Sequence, residues 1–326
     1  MAADGGTKAV VAALLANTGI AITKFAAFAL TGISSMLAEA IHSVADSGNQ
    51  LLLLLGGNRA KREATPEHPF GFGRERYIYG FIVAIVLFSV GGLFALYEAY
   101  HKFHEVRSGH SHLEEGWVRW VPIVVLLIAI ALESMSFRTA IKETDKLRGE
   151  ASYWTFIRRA KAPELPVILL EDFAALIGLF FAFLAVSLTM ITHNQYFDVA
   201  GTALIGVLLV SVAVTLAIET KSLLLGESAG LEAQQRIEDA LTGTAGVERI
   251  IHIKTLHLGP EELLVAAKIG VAPGADAAAI AAAIDAAEVA IRSAEPTAQQ
   301  IYLEPDIYRA DHVPAERPEP PAPAGH

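Results

Sequence analysis

The sequence predicts an α-helical polytopic membrane protein with six transmembrane helices, followed by a small α/β domain. Three observations predict this fold class. The 326 residues are 53% hydrophobic and only 18% charged, with a mean hydropathy of +0.44, which is too apolar for an ordinary soluble protein. The apolar residues form blocks long enough to cross a bilayer, which takes about 20 residues. The last hundred residues or so instead have the shorter helical and alternating patterns of a soluble domain.

The apolar blocks define a membrane domain at residues 1–222. They occupy residues 9–30, 33–57, 77–100, 118–140, 165–191 and 197–217. We interpret the first block as an uncleaved helix, because it is too long for the apolar core of a signal peptide. Lys24 lies near its end, and we expect its amine to reach the membrane interface.

Basic residues in the links predict the orientation of these helices. The links 58–76 and 138–161 are rich in Lys and Arg, whereas the link 192–196 contains neither. Since Lys and Arg accumulate on the cytoplasmic side, the two basic links are predicted to lie inside. Six spans then place both termini in the cytoplasm, and we expect the protein in the cell (inner) membrane.

The C-terminal part predicts a cytoplasmic domain at residues 227–309. Helical spacing at 231–241 and 275–293 alternates with strand patterns at 247–258, 263–271 and 298–303. The resulting order αββαβ fits a ferredoxin-like sandwich with its helices on one face of the sheet. The Pro-rich tail 310–326 is expected to be disordered.

Charge and cysteine content exclude several kinds of partner and site. The net charge of −10 argues against nucleic acid, whose phosphates are neutralised by an excess of Lys and Arg. Because the chain has no Cys, any metal must be held by His, Asp or Glu.

The second block contains ionisable residues inside an otherwise apolar segment. Glu39, His42 and Asp46 are spaced by three and four residues, which places them on one face of a helix. Charged residues within a membrane are costly and usually face an ion, a cavity or a partner. We therefore predict that His42 and Asp46 bind a cation and that Glu39 orients His42.

The fifth block adds two adjacent carboxylates, Glu171 and Asp172. Together with His42 and Asp46, Asp172 would form a tetrahedral N/O site whose fourth ligand is Glu171 or water. Such ligands suit Zn²⁺ best, with Mn²⁺, Fe²⁺ and Co²⁺ as alternatives. Adjacent helical residues point about 100° apart, so Glu171 need not face the same ion as Asp172.

Other polar residues of the membrane domain are expected to have lesser roles. Glu98 and Glu133 are predicted to be structural groups near helix ends or interfaces. The segment 101–112 contains four His residues, which would gather divalent metal or form a loosely ordered, solvated loop.

Three motifs resemble the cation diffusion facilitator family of divalent-metal/proton antiporters. They are SSMLAEAIHSVADSGNQ at 34–50, HPFGFGRERYIYG at 68–80 and IYLEPD at 301–306. The variant LLEDFAAL on the fifth block resembles the branch that includes the mitochondrial zinc transporter. This resemblance implies export of a divalent metal, most simply Zn²⁺, in exchange for protons by a homodimer joined through its cytoplasmic domains.

The resemblance also implies a site, with two departures from the family pattern. His42, Asp46 and Asp172 match ligand positions on the second and fifth helices, whereas Ile168 stands where a His is usual and Glu171 could substitute. In the C-terminal domain, Lys268 and Tyr302 occupy positions where some members have metal-binding His. The resemblance therefore implies a dimerisation module more than a metal sensor.

Other classes of function lead to different expectations. A non-transporting metal-sensing membrane scaffold would bind metal without flux, and transport chiefly of Mn²⁺, Fe²⁺ or Co²⁺ would use the same ligands. A metal-dependent intramembrane enzyme would need a motif such as His-Glu-x-x-His, which the sequence lacks. We therefore expect no enzymatic activity and no catalytic cofactor.

Overall fold

The computed structural model describes residues 2–31, 34–108 and 120–310. The predicted Pro-rich tail, except its first residue, and two of the four His residues, His110 and His112, lie outside this part of the chain. The chain divides into two compact units. Unit 1 consists of Met1–Ser228 with His257–Glu262, and unit 2 consists of Ala229–Leu256 with Leu263–His326.

Unit 1 is helical. Its elements are α1 (Ala2–Thr31), α2 (Ser34–Arg59), α3 (Glu75–Val86), a π-helical segment (Leu87–Leu93), α4 (Phe94–Ser108), α5 (Val121–Arg148), α6 (Tyr153–Arg159), α7 (Glu164–Thr192) and α8 (Tyr196–Leu225). The elements from α3 to α4 follow one another without a break and form one long helix. His101 and His104 lie on its last part, so they are helical rather than in the predicted loop.

Five helices of the described chain are long and apolar enough to cross a membrane. They are Gly6–Ala29, Glu75–Ser108, Val121–Arg148, Glu164–Thr192 and Tyr196–Leu225. The predicted second span, α2, is not one of the five, and its ionisable and amide residues lower its hydropathy. The chain is a multi-pass membrane protein with a mainly helical fold.

The packing of unit 1 brings α2, α5 and α7 around a shared interior. Helix α1 contacts both α2 and α5, and α5 contacts α7. The apolar core includes Ala13 of α1, Leu53 of α2, Ala140 of α5 and Ile168 of α7. Polar side chains in these helices are therefore held away from bulk water by neighbouring apolar groups.

Two glycines allow the long helix to pass close to α8. A Cβ atom on Gly92 would lie 2.6 Å from Cγ2 of Val210 and 3.0 Å from its backbone nitrogen. On the other helix, a Cβ atom on Gly206 would lie 2.8 Å from the side chain of Leu96. Only glycine leaves room for the two backbones at these points.

Lys24 departs from the sequence-based expectation. Its side chain is buried, with 6% of the residue exposed, and Nζ donates a hydrogen bond to Oγ of Ser43 at 2.9 Å. The expectation that it reaches the interface is wrong, because α1 packs this face against α2. The amine finds a polar partner within the helix bundle instead.

Unit 2 has the predicted element order αββαβ. Helix α9 (Leu231–Thr242) precedes β1 (Arg249–Gly259) and β2 (Glu262–Gly270), and α10 (Ala277–Ala294) precedes β3 (Ala298–Asp306). The sheet order is β1-β2-β3, and β3 runs parallel to β2 with Lys268 opposite Glu304. Apolar residues from all five elements form the core, among them Ile237, Ile253, Val265, Ile291 and Ile301.

Candidate metal centre

Helix α7 places two carboxylates in the interior of unit 1. Glu171 is 6% exposed and Asp172 is 1% exposed. Both follow a buried apolar run that ends in Ile168 and Leu169. Because such groups are costly to bury, each must be satisfied by a polar partner or a cation.

Glu171 is held between two carboxamides of α2. Nδ2 of Asn49 donates to Oε1 at 2.9 Å, and Nε2 of Gln50 donates to Oε2 at 3.0 Å. Each carboxylate oxygen therefore accepts one N–H, and the two bonds join α2 to α7. The donors lie three and four residues after Asp46, on the same part of α2.

Asp172 contacts α5 instead. Oγ of Ser136 donates a hydrogen bond to its Oδ2 at 2.7 Å. The side chain of Glu133, which is 3% exposed, interacts with the same carboxylate. Glu133 and Ser136 are three residues apart and therefore lie on one face of α5.

Glu133 is a further candidate that the sequence analysis had set aside as a structural group. It lies in the middle of α5, not near a helix end. The sequence signal is a carboxylate inside the apolar run IVVLLIAIALES. A charged residue within a membrane segment is costly, so the reasoning used for the second block applies to Glu133 as well.

Asp46 brings a third helix to the same carboxylates. Its charge interacts electrostatically with those of Glu133, Glu171 and Asp172. Acidic residues of α2, α5 and α7 therefore lie within electrostatic range of one another.

Glu39 and His42 are on α2, about two turns and one turn before Asp46. Their side chains lie outside what the structure describes, so their roles remain predictions. Among the described residues, no three His, Asp or Glu side chains form a group that could hold a metal ion. The ligand set His42, Asp46, Asp172 and Glu171 includes one undescribed side chain and also stays a prediction.

In unit 2, Lys268 lies beside two carboxylates of β3, Glu304 and Asp306. Nζ of Lys268 lies 3.0 Å from Oε1 of Glu304 and 3.1 Å from Oδ2 of Asp306. The hydrogen bond from Lys268 holds the pKa of Asp306 below its usual value, and the bonds to Glu304 and Asp306 raise the pKa of Lys268. The ammonium group therefore occupies the position of a cation between these carboxylates.

Sequence comparison with known proteins finds one matching family model and several related proteins. Residues 10–225 match the cation efflux transmembrane domain. The human mitochondrial proton-coupled zinc antiporter SLC30A9 is 32% identical over 264 residues, which cover 78% of this chain and 44% of that protein. Metal tolerance protein C4 of Arabidopsis thaliana is 26% identical over 80% of this chain and 56% of its own length.

The magnetosome protein MamM of Paramagnetospirillum magneticum is similar over a shorter region, with 26% sequence identity over 40% of each chain. The chain spans less than half the length of the human relative.

Proposed function

Because the chain belongs to the cation efflux family, we propose that it exports a divalent transition-metal ion, Zn²⁺ foremost, from the cytoplasm in exchange for protons. The observation that carries this proposal is the set of three buried carboxylates on α5 and α7, Glu133, Glu171 and Asp172, within electrostatic range of Asp46 on α2. Buried ionisable groups in membrane helices mark ion pathways, because their burial is otherwise too costly. The name of the human relative, a proton-coupled zinc antiporter, supports the same cargo.

The proposed exchange follows from the ligand chemistry. A metal ion needs His42 neutral and Asp46 and Asp172 ionised, so binding of the ion releases protons from these groups. Protonation from the opposite side would then weaken the site and expel the ion. Rocking of the helices would expose the site first to one side and then to the other.

The proposed cargo includes Mn²⁺, Fe²⁺ and Co²⁺ as alternatives to Zn²⁺. Carboxylate oxygens are ligands that these ions accept, and the site contains more carboxylates than imidazoles. Competition among the ions in a transport assay would rank them.

We further propose that α2 is a sixth span. Its 26 residues reach about 39 Å at 1.5 Å per residue, which exceeds the roughly 30 Å hydrocarbon core. Its polar residues include Asn49 and Gln50, which bond to α7 and not to lipid. Six spans would place both termini in the cytoplasm, and the basic links support insertion in the cell membrane with that orientation.

For unit 2 we propose a ferredoxin-like dimerisation module. The order αββαβ and the parallel pair of β2 and β3 around α10 support the topology. The family resemblance supports a homodimer. Removing the residues after Ser228 should convert the purified dimer to a monomer in light scattering.

The proposal is tested by metal flux into proteoliposomes carrying a proton gradient. Asp46→Asn and Asp172→Asn should each reduce zinc flux to background, because each removes a charge from the site. Glu150→Gln, at an exposed position, is the matched control and should transport normally.

Unchanged flux in the two site variants would overturn the proposed function. Metal binding to the wild type without flux under any gradient would instead favour the metal-sensing scaffold.

A further inference from the structure

We infer that Ser136 of α5 is a positioning residue that sets the metal preference of the transporter. Its hydroxyl holds one oxygen of Asp172, leaves the other oxygen to the ion, and so favours Zn²⁺ over larger ions such as Mn²⁺. This inference rests on the proposed transport function, with Asp172 as a ligand, and concerns the selectivity of the same site.

The first step is the contact between Ser136 and Asp172. Oγ of Ser136 lies 2.7 Å from Oδ2 of Asp172, and the two residues are 3% and 1% exposed. A hydroxyl that donates to a carboxylate lies about 2.5–2.7 Å from it, and such a bond is about twice as strong as one between neutral groups. Because bulk water is kept away from both groups, the bond retains its strength. One oxygen of Asp172 is therefore held by α5.

The second step concerns which group of α5 can hold this oxygen permanently. The buried residues of α5 between 125 and 140 are Val125, Ala129, Glu133, Ser136 and Ala140, so only two of them are polar. Glu133 also interacts with Asp172, but a carboxyl group donates a hydrogen bond only while it is protonated. A serine hydroxyl keeps its proton and can donate whether the site is empty or loaded.

The third step is the effect of this bond on coordination. The hydroxyl proton points at Oδ2, so a cation that bound this oxygen would face a partial positive charge beside it. Oδ1 accepts nothing from Ser136 and is the better ligand of the two. The bond therefore disfavours an ion that would bind both oxygens of Asp172 at once.

The fourth step relates this geometry to the size of the ion. Zn²⁺ in proteins is held by four ligands in a tetrahedron, and one oxygen from each carboxylate satisfies it. Mn²⁺ prefers an octahedral set of oxygens, so it gains from a carboxylate that supplies two. A carboxylate restricted to one oxygen thus favours Zn²⁺.

Ser136→Ala tests the inference, because it removes the hydroxyl with little change of volume. Initial rates of Zn²⁺ and Mn²⁺ uptake into proteoliposomes give a KM for each ion. We expect the KM for Zn²⁺ to rise about tenfold and that for Mn²⁺ less than about threefold, since losing the partner of a ligand typically weakens metal binding 10–100-fold and Mn²⁺ regains a second oxygen.

Two further variants separate the hydrogen bond from packing. Ser134→Ala makes the same change at an exposed position of α5 and should leave both KM values unchanged. Ser136→Thr keeps the hydroxyl and should retain the preference of the wild type. Because KM does not depend on the amount of active protein, a variant that folds only in part still reports its preference. Calorimetric titration of the purified full-length protein with each ion gives the same comparison where flux is slow.

The outcomes separate this inference from the proposed function. An unchanged KM for Zn²⁺ in Ser136→Ala, or an equal rise for both ions, overturns the role of Ser136 and leaves transport standing. A preference that is lost equally in Ser136→Thr would assign the effect to packing and also overturn that role. A wild type that carries neither ion overturns the proposed function and this inference together.

Discussion

Gln50 connects two helices through one side chain. Its amide donates to the buried Glu171, and an apolar residue in its place would leave that carboxylate short of a donor. We expect Gln50→Leu to lower the free energy of unfolding by about 1–3 kcal/mol. The measurement is thermal unfolding of the purified protein in detergent.

The control for this change lies on the same helix. Asn58 is exposed near the end of α2, so Asn58→Leu should leave the melting temperature almost unchanged. Equal melting temperatures for Gln50→Leu and the wild type would show that the hydrogen bonds to Glu171 contribute little.

Lys268 of unit 2 gives a pH-dependent prediction. The lowered pKa of Asp306 means that its stabilising contribution is present above the ordinary value of 3.8 and is lost as pH falls through the lower folded value. The raised pKa of Lys268 means that its contribution persists below 10.5 and is lost above that. Lys268→Met should therefore destabilise unit 2 between about pH 4 and pH 10.

The difference in stability between wild type and Lys268→Met should shrink in more acidic solution, as followed by chemical unfolding at a series of pH values. Lys254→Met makes the same charge change at an exposed position of β1 and serves as the control. A difference that does not depend on pH would mean that packing, not the ion pairs, accounts for the effect.

At the level of single residues, the sequence shows which residues are unusual but not which groups they contact. Glu171 and Asp172 stand out in their apolar run, yet only the packed helices separate their partners, with carboxamides on one side and Glu133 on the other. The prediction that the Lys24 amine reaches the membrane interface was wrong for the same reason. Whether a polar side chain faces lipid or another helix depends on tertiary contacts.

Among the helices, the close passage of the long helix and α8 depends on glycine. Gly92→Ala would place a methyl group 2.6 Å from the side chain of Val210 and 3.0 Å from its backbone nitrogen. The backbone cannot yield as a flexible side chain can, so we expect a loss of about 1–3 kcal/mol, seen as a lower melting temperature.

Gly57 provides a matched helical glycine, since a Cβ atom there would meet nothing within 4 Å. Gly57→Ala should be neutral or slightly stabilising, because alanine has the higher helix propensity. Equal melting temperatures for Gly92→Ala and Gly57→Ala would mean that the long helix and α8 pack less closely than the structure indicates.

The elements themselves were largely predictable, with informative exceptions. Hydropathy located the spans because a bilayer requires a long apolar run. The π-helical segment Leu87–Leu93 was not foreseen, since its widened turn leaves no mark on apolar periodicity over seven residues. Helix α2 is the opposite case, because its polar residues weaken the hydropathy pattern that identifies a span.

The topology of the whole molecule can be tested by cysteine accessibility in sealed vesicles. Ala3→Cys, Ala64→Cys and Glu150→Cys should react with an impermeant reagent from the cytoplasmic side, and Asn194→Cys from the opposite side. The unmodified chain, without Cys, gives the background. Labelling of Ala3→Cys and Ala64→Cys from opposite sides would mean that α2 does not cross.

At the level of the whole molecule, the order of helices and strands followed from the change in periodicity after residue 226. Strand β1 ends one residue beyond its predicted limit, at Gly259, and β3 ends three residues beyond its predicted limit, at Asp306. Pairing explains the extension of β3, because its ladder with β2 continues to Asp306 whatever the local apolar pattern.

The two hydrogen bonds from α2 to Glu171 also have a mechanical consequence. Tilting or sliding α2 against α7 would break both bonds where no water replaces them, so the free energy of such a motion rises steeply. The two helices should therefore move together as one rigid body. Relative motion would then concentrate at the surface of α5, where a hydroxyl and a carboxyl group can exchange partners with little loss.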